Sequence, residues 1–298
     1  MTGADRTRVA LIGTGRMGAA MAGRLTDAGF PVALFNRTRA KADRVAAELA
    51  GPATVYDTAA AAAHSADVVL VSLADDAAVT AAYRGDAGVA AGVRPGTVVL
   101  EMSTLAPATV RALAPLVTDQ GGILVDAPVS GSVATVQQGQ LTVLAAGDPA
   151  ALDRARPALE TFAKKIFHLG DLGAGATMKL AVNSIVHGLN QVLAEALVLA
   201  EKAGVARAAA YEVFANSAAA APYVQYKQES FLHPDQAPVA FSLDLVAKDL
   251  DLIQTLAAES GARMELTAAT RAVVEAAVAE GLGDRDLSAV AELLRRHS

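Results

Sequence analysis

The stretch LIGTGRMG, residues 11–18, decides the fold of the first part of this chain. It places Gly13, Gly15 and Gly18 in the spacing G-x-G-x-x-G, directly after the apolar run RVALI (8–12) and before a helical pattern. In such a strand–turn–helix unit the first glycine makes a tight turn, the second lets the backbone approach a pyrophosphate, and the third lets the helix pack on the strand. The free N–H groups of the helix N-terminus complete an anion site. The stretch therefore predicts a dinucleotide-binding unit rather than an ordinary glycine-rich turn.

Short apolar runs alternate with helical patterns along the first 170 residues, which indicates a mostly parallel sheet covered on both faces. The predicted strands are RVALI (8–12), PVALFN (31–36), DVVLVSL (67–73), TVVLEMS (97–103), GILVDAPV (122–129), LTVLAAG (141–147) and KIFHLG (165–170). Only helical patterns follow, over 175–203, 206–217, 222–232, 243–259, 263–281 and 284–296. We predict an α/β fold, with an N-terminal Rossmann dinucleotide-binding domain over 1–170 and an all-α domain over 171–298.

The composition limits the classes of partner and site. The chain has 298 residues, of which 53% are hydrophobic and 19% charged, and a formal net charge of −6. Because no block of Lys or Arg residues occurs, we expect no nucleic-acid or membrane partner. The absence of cysteine excludes disulfides and a thiol nucleophile, and the five scattered histidines lack metal-ligand spacing, so no metal is expected. The polar N-terminus lacks a signal-peptide core, which predicts a cytoplasmic protein.

The end of the second predicted strand indicates the cofactor. NAD sites usually have an acidic residue there, which holds a ribose 2′-hydroxyl. This chain instead has Asn36, Arg37, Thr38 and Arg39. The planar guanidinium of Arg37 suits a 2′-phosphate, and Thr38 can add a hydroxyl donor and cap the next helix. The pattern predicts NADP(H); the alternative is that both arginines are surface charges, although cations oppose the dipole at a helix start.

The predicted helix over 175–203 is apolar nearly all round, apart from one line of polar residues. Lys179, Asn183, His187 and Asn190 are spaced four, four and three residues apart, which places them on one face. The apolar remainder indicates burial, so we expect the polar line to face a cleft at the joint between the domains. The alternatives are a lysine that extends to solvent and hydrogen-bonded core residues at Asn183 and His187.

Four further motifs occur in order along the chain. They are EMSTLAP (101–107), DAPVSGS (126–132), GATMKLAVN (175–183) and AKDL (247–250), and GLGDRDLSAV follows near the end. Together with the glycine loop, they make nearly the whole chain resemble the β-hydroxyacid dehydrogenase family. That family includes 3-hydroxyisobutyrate dehydrogenase, tartronate semialdehyde reductase and the plant-type glyoxylate/succinic semialdehyde reductases. Together with the NADP(H) predicted from the end of the second strand, the resemblance implies an NADP-dependent oxidoreductase that acts on hydroxyl and carbonyl groups.

The resemblance also implies a role for each matching position. Lys179 is implied as the catalytic acid/base, and Asn183 as a catalytic residue that positions the substrate. The implied substrate-binding residues are Ser130, Gly131, Thr104, Phe241 and Asp249. The implied cofactor-binding residues are Gly13, Thr14, Gly15, Arg16, Met17, Gly18, Asn36, Arg37, Thr38, Leu73, Ser103, Thr104 and Lys248. Two positions depart from the family pattern: Ser132 replaces a second glycine, and Glu101 stands where aspartate is more usual.

General chemistry supports the role of Lys179. Adding hydride to a carbonyl leaves an alkoxide that needs a proton. A lysine supplies it near neutral pH if a dry site and nearby cations lower the lysine pKa. In the reverse direction, the neutral amine accepts the hydroxyl proton.

We therefore expect an NADPH-dependent reductase of small carboxylate-bearing aldehydes or ketones, reversible as a 3-hydroxyacid dehydrogenase. We also expect a homodimer formed through the long helix and its neighbours. A second interpretation is an imine reductase, which shares the cofactor motifs but usually has an acidic residue or tyrosine at the position of Lys179. A third is an NADP-binding regulatory module without turnover, which the presence of Lys179 and Ser130 disfavours.

Overall fold

The structure is a computed structural model that describes residues 7–297. Its strands are β1 (Val9–Ile12), β2 (Val32–Phe35), β3 (Ala53–Val55), β4 (Val68–Val71), β5 (Val98–Glu101), β6 (Ile123–Asp126), β7 (Val129–Ser130), β8 (Leu141–Gly147) and β9 (Ala163–His168). Its first eight helices are α1 (Arg16–Asp27), α2 (Arg39–Glu48), α3 (Ala59–His64), α4 (Asp76–Tyr83), α5 (Val89–Gly92), α6 (Pro107–Thr118), α7 (Val133–Gln137) and α8 (Pro149–Leu159). The others are α9 (Ala174–Lys202), α10 (Arg207–Ala215), α11 (Pro222–Tyr226), α12 (Gln228–Leu232), α13 (Leu243–Ser260), α14 (Glu265–Ala277) and α15 (Val290–Arg296).

The strands lie in the compact unit Met1–Lys179, in the order β3-β2-β1-β4-β5-β6-β8-β7, with β9 beside β8. The first six strands in this order are parallel. They form the doubly wound arrangement in which ligands bind beyond the carboxyl ends of the strands. β8 runs antiparallel to β6 and β7 and parallel to β9.

Alternate residues of the central strands face two separate cores. In β1, Val9 and Leu11 belong to one apolar cluster, whereas Ala10 and Ile12 belong to the other. This period of two follows from the pleat of the strand. Because helices cover both faces, both sets of residues are apolar, which explains the continuous apolar runs in the sequence.

The compact unit Leu180–Ser298 is built from helices around its own core. α13 ends at Ser260 and is followed by Gly261, whose left-handed φ of 73° is the conformation that commonly ends a helix. A π-helical segment, Val278–Leu282, follows α14, and a 3₁₀ turn, Leu287–Ala289, precedes α15. Gly281, at a φ of 84°, interrupts the helical backbone inside the π-helical segment.

The predicted fold class is confirmed, since a Rossmann unit precedes an all-helical one. A strand lies at each predicted position, but the prediction missed the three-residue β3 and the break between β6 and β7. Pro128 lies in that break, where its missing N–H cannot pair in a ladder. The single helix predicted over 222–232 is wrong, because α11 and α12 are separated at Lys227. The domain boundary near residue 170 stays a prediction.

α9 is not buried all round, which corrects the interpretation of its apolar sequence. Met178, Ile185, Val192 and Leu199 recur at every seventh residue and are between 41 and 71% exposed. Seven residues are nearly two helical turns, so these side chains form one stripe. Among the described helices, α9 is also the one long and apolar enough to cross a membrane, but half of its most apolar window is buried inside the protein. A buried core helix passes the same test of length and composition.

Candidate active site

The glycine loop between β1 and α1 has the shape that a phosphate-binding turn requires. Gly13 has a φ of 103°, and a Cβ on it would lie 2.2 Å from the carbonyl oxygen of Ser72. A Cβ on Gly18 would lie 2.1 Å from the carbonyl oxygen of Gly13. A Cβ on Gly15, by contrast, would meet no atom within 4 Å. The first and third glycines thus serve close packing, and the second leaves open space for a ligand to approach the backbone.

The N-terminus of α1 offers backbone donors to an anion. Gly15 is the N-cap residue, and no side chain caps the helix. Arg16 and Met17 form the start of its first turn. The buried Oγ1 of Thr14 has no hydrogen-bond partner within the part of the chain that the structure describes. Uncapped N–H groups at the positive end of a helix dipole suit a pyrophosphate, so these residues fit a dinucleotide cofactor.

Asn36 connects the glycine loop to the loop after β2. Its Oδ1 accepts a hydrogen bond from the N–H of Thr14 (3.2 Å), and its Nδ2 donates to the carbonyl of Thr38 (3.0 Å). Arg37 lies within this bridged loop and is exposed. Among residues 7–297, its side chain makes no hydrogen bond or ion pair.

Thr38 and Arg39 are engaged differently from the prediction. Thr38 is the N-cap residue of α2, but its side chain makes no capping hydrogen bond, so the predicted cap is wrong. Arg39 forms ion pairs with Asp43 and Asp57. These carboxylates offset a cation at the start of a helix. Arg37 is therefore the arginine whose charge remains available to an anion.

Ser103 and Leu73, both predicted cofactor contacts, are joined across two neighbouring strands. Oγ of Ser103 accepts the N–H of Leu73 (2.9 Å), and the N–H of Ser103 donates to Oε1 of Glu101 (2.9 Å). Thr104 follows and is half-buried. The loops after β4 and β5 are thus fixed to each other by side-chain hydrogen bonds.

Glu101 is fully buried at the end of β5. Burial raises the pKa of its carboxyl from 4.5 to about 7, although hydrogen bonds from Ser103 act in the opposite direction. Burial and Glu101 together raise the pKa of Tyr83 well above 10. The Tyr83 hydroxyl is close enough to lower the pKa of this carboxyl. Among residues 7–297, however, neither the Tyr83 hydroxyl nor Oε2 of Glu101 has a partner in ordinary hydrogen-bond geometry. Glu101 therefore fixes the loop that contains Ser103 through one carboxylate oxygen, whereas the hydrogen-bonding capacity of the other oxygen is not used by any described residue.

The DAPVSGS loop presents Ser130 and Gly131. Ser130 is half-buried in β7, which pairs with β8. Gly131 has a φ of 138°, and a Cβ on it would lie 2.5 Å from the side chain of Leu141. Ser132 is extended and caps α7 in a reciprocal pair with Thr135. Serine is therefore compatible with this loop at the position where the family pattern has glycine, because no positive φ is needed there.

Lys179 is half-buried on the second turn of α9. The start of that helix is bound by Asp126, whose Oδ2 accepts the N–H groups of Gly173 (3.1 Å) and Ala176 (2.8 Å). The sequence analysis missed Asp126, although it stands in the DAPVSGS motif. Its partners are 47 and 50 residues away, so spacing gave no signal.

Asn183 is paired with Asp249 in the helical unit. Nδ2 of Asn183 donates to Oδ2 of Asp249 at 2.6 Å, and both residues are buried. A carboxylate only accepts hydrogen bonds, so the amide nitrogen must face it. Oδ1 of Asn183 is then left to accept a hydrogen bond from another donor.

Asp249 is fully buried yet remains ionised. Burial alone would raise its pKa, but His187, with Nε2 3.6 Å from Oδ2, and Lys248, with Nζ 2.9 Å from Oδ1, bring the pKa below 3.8. Lys248 and Asp249 are therefore not a solvated pair. The ring of His187 also stacks on Phe241, with centroids 6.0 Å apart. His187 thus joins the predicted site residues of this unit.

The predicted residues form a separate group in each compact unit. The unit Met1–Lys179 carries the glycine loop, the end of β2, Ser103 with Leu73, the DAPVSGS loop and Lys179. The unit Leu180–Ser298 carries Asn183, Phe241, Lys248 and Asp249. Within residues 7–297, no group of three or more His, Cys, Asp or Glu side chains is placed to hold a metal ion.

Two families together match most of the chain. Residues 8–170 match the family described as the NAD binding domain of 6-phosphogluconate dehydrogenase. Residues 173–294 match the family described as NAD-binding of NADP-dependent 3-hydroxyisobutyrate dehydrogenase.

Several curated proteins are similar over almost their whole length. Glyoxylate/succinic semialdehyde reductase 1 of Arabidopsis thaliana is 33% identical, over 96% of this chain and 98% of its own. The 2-(hydroxymethyl)glutarate dehydrogenase of Eubacterium barkeri is 32% identical, over 95% and 93%. The NAD-dependent L-serine dehydrogenase of Pseudomonas aeruginosa is 32% identical, over 96% and 97%.

Solved structures show the same architecture. The 3-hydroxyisobutyrate dehydrogenase of Mycobacterium tuberculosis, determined with L-serine, has a TM-score of 0.83 at 32% identity and covers 97% of this chain and 99% of its own. An imine reductase from Pseudomonas sp. has a TM-score of 0.65 at 20% identity, over 97% and 100%. The second likeness is one of fold alone.

Proposed function

Because this chain belongs to the β-hydroxyacid dehydrogenase family and is an NAD(P)-dependent oxidoreductase of hydroxyl and carbonyl groups, we propose that it reduces small carboxylate-bearing aldehydes or ketones with NADPH. In the reverse direction it oxidises 3-hydroxyacids. The names of the related enzymes support this substrate class. Glyoxylate, succinic semialdehyde, 2-(hydroxymethyl)glutarate and L-serine all carry a carboxylate.

NADP(H) is the proposed cofactor. The open space at Gly15 and the uncapped start of α1 suit its pyrophosphate, and Arg37 and Thr38 suit its 2′-phosphate. Asn36 replaces the carboxylate that would repel that phosphate. One relative is named as NAD-dependent, so family membership leaves this preference open. When bound, NADPH supplies the hydride that reduces the carbonyl carbon.

The substrate carboxylate is proposed to bind Ser130 and Gly131. A half-buried hydroxyl next to a backbone N–H in a positive-φ turn provides two donors without a competing side chain. The test is to replace the carboxylate of a substrate by an amide or ester. Equal kcat/KM on the uncharged analogues would remove carboxylate recognition from the proposal.

Lys179 is the proposed proton donor to the carbonyl oxygen. Asn183 is the proposed residue that positions the substrate, with its Oδ1 accepting the hydroxyl of the 3-hydroxyacid in the reverse direction. One observation carries this assignment: Lys179 stands one turn before an amide whose orientation a buried, ionised Asp249 fixes. Side chains four residues apart lie on the same helix face. A donor and an oriented acceptor are therefore placed in sequence along one face of α9.

The experiment is an NADPH-oxidation panel over glyoxylate and succinic, methylmalonic and tartronic semialdehydes, with a cyclic imine as comparison. Lys179→Met should lower kcat by roughly 10²–10⁴, the usual contribution of general acid–base catalysis. Lys179→Arg should not restore it, because a guanidinium keeps its proton at any working pH. NADPH affinity should change little. Near-normal turnover of Lys179→Met would show that the lysine is structural.

The same panel separates the two other interpretations. An imine reductase would prefer the cyclic imine, and a regulatory module would bind NADPH without turnover on any of these compounds. The fold-level likeness to an imine reductase adds no weight to the first of these. A cytoplasmic location is also proposed. It does not follow from family membership, because glyoxylate/succinic semialdehyde reductase 2 of Arabidopsis thaliana is named as chloroplastic.

A homodimer is the proposed assembly. Ile185, Val192 and Leu199 form an exposed apolar stripe on α9, and the exposed Leu266 of α14 contacts that helix at Gly188. A patch of this kind marks an interface, and a second copy presents the same stripe. Leu199→Glu should convert a dimer to a monomer in light scattering, whereas Ala258→Glu, at an exposed small residue of α13, should have the smaller effect. A monomeric wild-type protein would contradict the assembly.

A further inference from the structure

We infer that Asp126 is a positioning residue for Lys179, because its carboxylate fixes the start of α9 one turn before the lysine. The inference rests on the proposed role of Lys179 as proton donor. It assigns a function to a side chain in the DAPVSGS motif that touches the helix start rather than Ser130 or Gly131.

The bond between Asp126 and α9 is made across the fold. The first N–H groups of a helix lack partners within the helix and are usually capped by the residue just before it. Here Gly173 precedes the helix at a φ of 95° and cannot cap it with a side chain. Oδ2 of Asp126, at the end of β6, instead accepts the N–H groups of Gly173 and Ala176 at 3.1 and 2.8 Å.

Gly175 shows how closely the helix start is packed. A Cβ on this residue would lie 2.3 Å from the carbonyl oxygen of Leu144 in β8 and 2.9 Å from Oδ2 of Asp126. The first turn therefore lies directly on the sheet and on this carboxylate. Lys179 is three residues after Ala176, about 4.5 Å along the helix axis, so a shift of the first turn moves the lysine with it.

Ionising the buried Asp126 costs free energy, which indicates that its charge, and not only its shape, is needed to bind the helix start. Burial raises its pKa from 3.8 to about 6, while the N–H groups of the helix start and the charge of Arg111 act in the opposite direction. Glu101 and Tyr83 are also titratable groups whose charges interact with this carboxylate. A charged acceptor binds N–H groups more strongly than a neutral one and suits the positive end of a helix. Below pH 6 the carboxyl becomes neutral and this bond weakens.

The test combines Asp126→Asn and Lys179→Met, singly and together. Asparagine keeps the shape and one acceptor oxygen but removes the charge. We expect Asp126→Asn to lower kcat about tenfold at pH 8, to leave the KM for NADPH unchanged and to remove an acid loss of kcat near pH 6. In the Lys179→Met background it should cause no further loss. Asp171→Asn, an exposed acidic residue in the loop before α9, is the matched control and should leave kcat unchanged.

Hydrogen exchange of the first-turn amides gives a measurement that needs no turnover. Asp126→Asn should speed exchange at Gly173 and Ala176, and Asp171→Asn should not. The inference is overturned if exchange is unchanged, or if Asp126→Asn lowers kcat equally in both backgrounds. Failure of the proposed function is seen separately, as near-normal kcat for Lys179→Met alone.

Discussion

Each compact unit contains two buried carboxylates, but burial has the opposite outcome in the two units. The pKa is raised for Glu101 and Asp126 in the N-terminal unit and lowered for Asp249 and Asp286 in the helical unit. Burial raises the pKa of Glu101 to about 7 and that of Asp126 to about 6. Backbone N–H groups and hydroxyls supply most of their hydrogen bonds. The two aspartates of the helical unit each have a lysine within ion-pair distance, and their pKa values lie below 3.8.

Asp286 shows how the lysine reverses the effect of burial. Burial alone would raise the pKa of Asp286, but Nζ of Lys227 lies 2.5 Å from Oδ1 and brings it below 3.8. The carboxylate also accepts the N–H groups of Ser288 (3.1 Å) and Ala240 (2.9 Å). It therefore binds the junction between α11 and α12, the segment before α13 and the 3₁₀ turn to one another.

The difference teaches that dipoles and cations are not interchangeable partners for a buried charge. A carboxyl with a raised folded-state pKa binds its proton more tightly when folded, so its charge destabilises the fold as pH rises through that pKa. A carboxyl with a lowered pKa stabilises the fold above its unfolded pKa and loses this contribution in acid. The two units should therefore respond to pH with opposite sign.

The largest expected effect comes from removing one partner of the buried ion pair in the helical unit. Lys227→Met leaves Asp286 ionised and unpaired, and should lower the free energy of unfolding by about 3–5 kcal/mol. The measurement is urea unfolding at pH 7. Lys165→Met, at an exposed lysine of β9, is the matched control and should change stability by less than about 0.5 kcal/mol.

Lys227→Met combined with Asp286→Asn should recover part of the loss, because the uncompensated charge is then absent. Recovery would be incomplete, since the amide accepts fewer of the backbone N–H groups. If Lys227→Met unfolds no more readily than Lys165→Met, the ion pair does not stabilise the helical unit and the comparison fails.

The next effect tests the opposite sign in the N-terminal unit. Glu101→Gln keeps an acceptor for Ser103 but removes a charge whose pKa is raised from 4.5 to about 7. Wild type should be most stable relative to this variant below pH 4.5, and should lose that advantage as pH rises to 7. The change in relative unfolding free energy across this window should be about 3 kcal/mol.

Glu259→Gln, at an exposed position of α13, supplies the control for this pH series. Its unfolding free energy should follow that of wild type at every pH, because a substitution at an exposed position away from the buried carboxylates changes stability little. Parallel curves for Glu101→Gln and wild type would show that burial does not set the protonation of Glu101.

The sequence predicts the parts of this molecule that depend on local chain geometry. The glycine loop, the continuous apolar strands and the polar line of α9 follow from turn conformation and from the repeats of strand and helix. The family resemblance also indicates that Asn183, Lys248 and Asp249 are site residues, although the sequence does not show the contacts among them. These features share a property, which is that each is set by neighbours a few residues away or by a known motif.

The parts that escaped prediction are made by residues far apart in the chain. Asp126 meets the helix start 47 and 50 residues later, and Lys227 meets Asp286 after 59 residues. Tyr223 is likewise buried, and its hydroxyl donates to Oδ1 of Asn190, 33 residues earlier in the chain. The repeats of apolar residues that predict strands and helices do not indicate which distant residues are in contact. The exposed stripe of α9 was missed for a related reason, since the sequence alone does not distinguish a buried apolar side chain from an exposed one.

The smallest expected effect extends the comparison to charges at the surface, where Arg37 lacks a carboxylate partner among the described residues and Arg39 has two. Arg37→Asp should weaken NADPH binding by about 2 kcal/mol, roughly 30-fold in Kd, because a charge-assisted contact to the 2′-phosphate is replaced by repulsion. NADH binding should barely change, which titration of both cofactors measures directly.

Arg39→Ala is the matched control. The carboxylate partners of Arg39, Asp43 and Asp57, are exposed, so loss of the arginine should cost under about 1 kcal/mol of stability and leave NADPH binding intact. If wild type binds NADH as tightly as NADPH, or if Arg39→Ala weakens NADPH binding as much as Arg37→Asp does, then a free cation at the end of β2 is not what selects the cofactor.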